Sequence, residues 1–248
     1  MQAAVGSHCA DCARASRPDV ATRARYWNAR QPLLITTTLI VINVAVFVFV
    51  TVADSSSLSG RGGVTKAQFD LGLNSFFLVD GRNEWYRLVT SGFLHFGVMH
   101  LAFNMFMLYQ LGQLLERALG RVEYSLLFLA SLLGGSFGVL LFDSSGITGG
   151  ASGAVFGLMA AAVVGLQRRG VNVFSTGLGT TLLLNLFITF VIPGISIGGH
   201  LGGAAAGAIC GFVMLAPQWK RQPDWYGWAT PAAVAALSVI GSVVVVSV

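Results

Sequence analysis

Seven apolar stretches, each 17 to 21 residues long, set the limits on what this chain can fold into. They run roughly over 33–53, 96–116, 122–142, 151–167, 173–193, 198–216 and 229–248. A helix that crosses a bilayer needs about 20 apolar residues. Only helices and closed barrels can cross lipid, because every backbone polar group must find a partner within the protein. Runs this long without alternating polarity predict helices. The predicted fold class is therefore all-α, a polytopic membrane helix bundle. Composition agrees: 54% of the 248 residues are hydrophobic and 10% charged, against about 25% charged in soluble domains. Disordered, fibrous and ordinary cytosolic readings fall. So does nucleic-acid binding, despite a net charge of +5.

The positive charge has a membrane pattern instead. Eleven of the fifteen Lys and Arg flank the spans on one side: Arg14, Arg17, Arg23, Arg25, Arg30, Arg117, Arg121, Arg168, Arg169, Lys220 and Arg221. The positive-inside rule then places the N-terminus in the cytoplasm and the C-terminus outside, in a cell membrane. No apolar stretch precedes residue 33, so no cleavable signal peptide is expected. Three segments follow: a cytoplasmic tail over 1–32, a six-helix core over 33–216, and a linker with a seventh helix over 217–248. Residues 54–95 form a long outer loop whose aromatics and charges, Phe76 to Tyr86, suit the interface. In the tail, Cys9-x-x-Cys12 is half of a tetrahedral zinc site; a free tail is the other reading.

Polar groups within spans are costly and mark candidate sites. The second, fourth and sixth spans would all run inward from the outer surface. His100, Asn104, Ser152 and His200 lie in the first turns of these three spans, so they share one layer. His100 and Asn104 are four residues apart and share a helix face. A serine needs a base, and His200 is the candidate. The free amides of a helix start, with His100 and Asn104, could hold an oxyanion. Between Tyr124 and Pro223 the only acid is Asp143, so a Ser–His dyad oriented by packing is expected rather than a triad. Gly199, Gly203, Gly207 and Gly211 recur along the sixth span, as Gly153 and Gly157 do on the fourth, and such stripes allow close helix approach. Taken singly, Ser152 could be a helix cap, Asn104 and Asn185 interhelical glue, and His95 a structural hydrogen-bonder. A metal or haem protein using His95, His100 and His200, or a transporter, fits less well, since no two facing helices each carry a pair of histidines at matching depth and no internal repeat of the spans is obvious.

Together these residues resemble the rhomboid intramembrane serine proteases. Gly150-Ala151-Ser152-Gly153, followed by Gly157, is similar to the family's G-x-S-G-x-x-x-G motif. His95, His100 and Asn104 resemble its H-x4-H-x3-N segment, and Gly199-His200 with Gly203 and Gly207 its A-H-x-x-G-x-x-x-G segment. Gly112, Glu116 and Gly120 resemble a G-x3-E-x3-G helix end, and Glu84-Trp85-Tyr86-Arg87 a first-loop motif. The resemblance implies a six-helix core, here with a seventh helix. It implies Ser152 as nucleophile, His200 as base, and His100, Asn104 and the Ser152 amide as oxyanion hole. Arg87, Glu116, Arg117, His95, Gly150, Gly153, Gly157, Gly199 and Gly203 would be structural. It implies single-span membrane proteins as substrates, the lipid bilayer as a further partner, no nucleic acid and no cofactor. A catalytically inactive member that binds transmembrane helices is the alternative. Phe156 stands where Tyr is frequent, and would stack on the histidine without a hydroxyl; Gly199 stands where Ala is frequent. Cys9-x-x-Cys12 resembles the end of a zinc-ribbon-like extension.

Overall fold

The computed structural model describes residues 33–59, 63–79, 81–142, 146–217 and 222–247. Cys9, Cys12 and the rest of the tail over 1–32 lie outside the described residues. Nine α-helices are seen among the described residues: α1 (Leu34–Ala53), α2 (Lys66–Leu71), α3 (Arg87–Thr90), α4 (Val98–Leu119), α5 (Arg121–Phe142), α6 (Ser152–Arg168), α7 (Leu178–Val191), α8 (Ile197–Met214) and α9 (Tyr226–Ser247). The expected all-α bundle is present, and each of the seven apolar stretches contains one long helix. Four helices, α1, α5, α8 and α9, are long and apolar enough to cross a bilayer. A fifth is reached only if α4 is taken together with the short helices over Arg87–Phe93, from which it is bent by 96°. The shorter apolar helices α6 and α7 have 17 and 14 residues. At 1.5 Å per residue they reach only about 26 and 21 Å.

The fifth stretch is shorter than expected because its first residues form a turn. Asn172 Oδ1 accepts from the Phe174 amide (3.0 Å), and Gly177 is left-handed with φ of 77°. Only from Leu178 does the helix run.

Small residues hold the centre together. Gly153 lies against the Gly199 carbonyl, Gly157 against that of Gly203, and Gly211 against Ala161. Each step of four on α6 meets a step of four on α8, so the two helices run parallel with their backbones in contact. Helix α5 runs antiparallel between them: Gly135 meets Gly153 and the Gly199 carbonyl, and Gly138 meets Gly198. Without glycine at these points the helices could not approach so closely. Helix α9 packs on the far side of α5, where Gly241 faces Phe137.

The N-terminus of α1 is capped by another helix. Leu33, at its cap position, offers no polar side chain. Glu116, from the end of α4, accepts from the Ile35 amide (2.9 Å) and from the Thr36 amide and hydroxyl (2.9 and 2.6 Å). The Tyr124 hydroxyl of α5 adjoins the same threonine (3.3 Å). A carboxylate on free helix amides satisfies both the orphan donors and the helix dipole. Arg117, beside it, is exposed. Charge-assisted bonds of this kind contribute about 1.5–3 kcal/mol each. Glu116→Ala is therefore expected to destabilise the bundle by about 3 kcal/mol, and Glu116→Gln by about half that. Thermal unfolding in detergent measures both; equal stability of Glu116→Ala and the parent would refute the cap.

Arg87 organises the loop between α1 and α4. It is buried and donates to the carbonyls of Phe69 (2.6 Å) and Gly72 (2.7 Å) and to Glu84 Oε2 (2.6 Å). Its guanidinium also lies 3.8 Å from the Phe77 ring centre. The Arg87 hydrogen bond holds the Glu84 carboxyl below its ordinary range. This ion pair therefore persists at neutral pH and is lost only as the pH falls through that lowered value. The loop turns at Gly81 and Asn83, both with positive φ (79° and 53°). The loop is tied to the segment before Ser152 by an antiparallel bridge between Leu73 and Thr148.

Candidate active site

Ser152 is the first residue of α6, and Ala151 holds the cap position. Its hydroxyl is therefore not the helix cap. The turn before it requires Gly150, whose φ is +146°. Main-chain bonds anchor that turn: the Gly150 amide donates to the Ser91 carbonyl (2.8 Å). A Cβ on Gly150 would lie 3.0 Å from His100 Nε2 and 3.5 Å from Ser152 Oγ. The missing side chain thus leaves one small space with the serine hydroxyl and the His100 imidazole on its edge.

His100 is fixed by its own helix start. The Phe96 amide points at His100 Nδ1 (3.4 Å). A nitrogen that accepts cannot carry the proton, so Nε2 carries it and is a donor facing the space beside Ser152. Asn104, one turn further on, is buried and gives one amide proton to the His100 carbonyl (2.9 Å). His95 is also buried, with its ring 5.0 Å from that of His100 in an edge-to-face contact. It lies behind His100.

His200 reaches the same level from α8. Ser196 caps that helix by accepting from the Gly199 amide (2.9 Å). Because Gly153 and Gly199 touch, the residues adjoining them, Ser152 and His200, come to one height. Phe156, one turn beyond Ser152, stacks on the imidazole with ring centres 4.1 Å apart and planes 18° apart. The expected stack is thus present. Its second neighbour was not foreseen. Thr189 of α7 places its hydroxyl 2.7 Å from His200 Nδ1. The imidazole is oriented by a hydrogen bond as well as by packing. The pattern Asn185-x3-Thr189 was the only sequence signal, and Asn185 itself bonds within its own helix, to the Thr181 carbonyl (2.8 Å).

Among the described residues no hydrogen bond joins Ser152 Oγ to His200. Such contacts are frequently long in free enzymes and tighten when substrate binds. Nor does any group of three or more His, Cys, Asp or Glu among the described residues form a metal site. The chemistry open to this set is acyl transfer: a hydroxyl, an imidazole at its level, and donors around the space where an oxyanion would form.

Comparison with known proteins places the same region in context. The family model described as Rhomboid domain matches residues 82–217. RHOMBOID-like protein 4 of Arabidopsis thaliana is 38% identical over 164 residues, covering 63% of this chain and 39% of that protein. Rhomboid protease GluP of Bacillus subtilis (strain 168) is 37% identical over 131 residues, covering 51% of this chain and 25% of that protein. Rhomboid-like protease 1 of Toxoplasma gondii is 30% identical over 167 residues, covering 63% of this chain and 56% of that protein. The chain thus spans less than two thirds of the length of each of these relatives.

Proposed function

The chain belongs to the rhomboid family, and on that premise we propose that it is an intramembrane serine endopeptidase. It would hydrolyse peptide bonds in or beside the transmembrane helices of single-span membrane proteins. The observation that carries this reading is the contact of Gly153 with Gly199, which brings Ser152 and His200 to one level on touching backbones. Two relatives carry protease in their names, from Bacillus subtilis and Toxoplasma gondii.

In the proposed mechanism His200 Nε2 takes the Ser152 proton as Oγ attacks the substrate carbonyl. The oxyanion accepts from His100 Nε2–H, from the free Asn104 amide proton and from the Ser152 backbone amide. The imidazolium then gives its proton to the leaving amine as the C–N bond breaks, leaving an acyl-serine. Water attacks the ester, His200 again taking a proton, and Ser152 is regenerated. Water must reach a site below the surface, and the start of α6 is its proposed entry, open to the extracellular side. Helical amides are shielded by their own hydrogen bonds. Glycine, proline or polar residues near the outer end of a substrate helix should therefore favour cleavage.

Labelling with a serine-directed fluorophosphonate separates this reading from that of an inactive member that binds helices. The parent protein is expected to be labelled stoichiometrically, and Ser152→Ala to lose the label. Absence of labelling in the folded parent, or labelling that survives Ser152→Ala, would refute the assignment of the nucleophile.

A further inference from the structure

Helix α7, like α9, is little buried in the bundle. Among its residues only Gly179 and Thr189 are buried, while Leu183, Leu184, Phe187 and Phe190 are exposed. The one polar group it sends inward is the Thr189 hydroxyl, and that hydroxyl has two neighbours. It donates to the Asn185 carbonyl (2.8 Å), and it lies 2.7 Å from His200 Nδ1.

A threonine hydroxyl has one proton and two lone pairs. A carbonyl can only accept, so the bond to Asn185 uses that proton. What remains to face His200 is a lone pair, and a short contact with a lone pair requires a proton on the nitrogen. The chain of donors then runs from His200 Nδ1–H to Thr189 Oγ1, and from Thr189 O–H to the Asn185 carbonyl. A neutral imidazole carries one proton. With Nδ1 protonated, Nε2 is left with its lone pair, as a base that must take the serine proton requires. Phe156 closes one face of the ring. Stacking fixes the plane of an imidazole and says nothing about which nitrogen is protonated; the contact with the threonine bears on that.

Resting on the reading of His200 as the general base, we propose that Thr189 is a positioning residue that holds the His200 imidazole in its Nδ1–H tautomer. It fills, without charge, the place that an acid holds in a Ser–His–acid triad. A backbone carbonyl one turn away terminates the relay, so a buried carboxylate is not needed. The orientation of the base thereby depends on a helix other than the two that bear the reacting pair.

The test uses the full chain in liposomes, with Thr189→Val and Thr189→Ser. Valine keeps the shape and removes the hydroxyl; serine restores the hydroxyl and removes the methyl. With a single-span substrate, Thr189→Val is expected to lower kcat about 10- to 100-fold, with KM within about twofold. Thr189→Ser should stay within about threefold of the parent. Nitrogen-15 spectra of histidine-labelled protein, with the His200 signals identified by their loss in His200→Gln, should show Nδ1 protonated and Nε2 bare. Thr189→Val should shift the ring toward the Nε2–H form.

A parent ring protonated on Nε2 would overturn the proposal. So would a Thr189→Val rate equal to the parent's, or a Thr189→Ser loss as deep as that of valine, which would mark a packing role. The spectrum reads the tautomer whether or not the chain cleaves peptides. Loss of cleavage in Ser152→Ala beside full activity in Thr189→Val would overturn the Thr189 assignment alone and leave the proteolytic reading standing.

Discussion

Replacing Ser152 with alanine is expected to remove proteolysis, lowering the rate of cleavage of a single-span substrate by about 10⁴-fold or more. His200→Ala should fall about as far, and the double variant no further, because nucleophile and base act as a unit. The oxyanion donors contribute separately. His100→Ala or Asn104→Ala should each reduce kcat about 10²- to 10³-fold, the range for loss of one preorganised donor. The order of these effects is the informative part. A protein that only binds helices would show no rate to lose, and one using another nucleophile would retain its rate in Ser152→Ala. Cleavage followed by gel in liposomes, with the substrate inserted in the same membrane, gives the comparison. Equal rates in parent and Ser152→Ala would refute the mechanism.

Gly203→Val is expected to have the largest structural effect. A Cβ there would overlap the Gly153 carbonyl oxygen and come within 2.6 Å of its carbon and 3.0 Å of its Cα. Those atoms are backbone of another helix, so no flexible side chain can swing aside. Helices α6 and α8 would have to part. Overpacking costs typically about 1–3 kcal/mol where side chains can adjust, and about 3 kcal/mol or more is expected here. The same parting would draw His200 away from Ser152. Gly203→Val should therefore lose fluorophosphonate labelling as well as thermal stability. Gly63→Ala is the control, since nothing lies within 4 Å of its Cβ position. It should behave as the parent in both assays. A folded, fully labelled Gly203→Val would show that the glycine contact does not control the site.

The helices were legible from sequence because the bilayer limits span length and composition so severely. The helix starts at Ser152 and Ile197 fall within a residue of the expected starts. Glu116 was named structural through the resemblance, but its partners are the amides of Ile35 and Thr36, some eighty residues away. No local pattern announces a cap lent by a distant helix. Ser152, His200, His100 and Asn104 were singled out because polar groups at one depth are uncommon by chance. Thr189 was not. A threonine in an apolar helix ordinarily bonds back to the carbonyl four residues earlier, and Thr189 does so too. Its second contact depends on how α7 rotates against α8, which the sequence period alone does not fix. Arg87 was expected in a structural role, and its bonds to the Phe69 and Gly72 carbonyls required the folded loop.

The repeating steps along α6 and α8 have a cost as well as a use. A track whose teeth are all alike can be mated at more than one notch. Sliding α8 along α6 by four residues, a shift of about 6 Å, would re-form much of the same backbone contact while carrying the imidazole a full turn from its hydroxyl. Nearness is thus supplied by the uniform residues and alignment by the unlike ones. Phe156, whose ring stacks on the imidazole, and Ser131, which faces Gly157 from α5, are the unlike residues along that track. Phe156 is also buried in the core, so trimming its ring to alanine would cost about 3–5 kcal/mol of stability as well as the register mark.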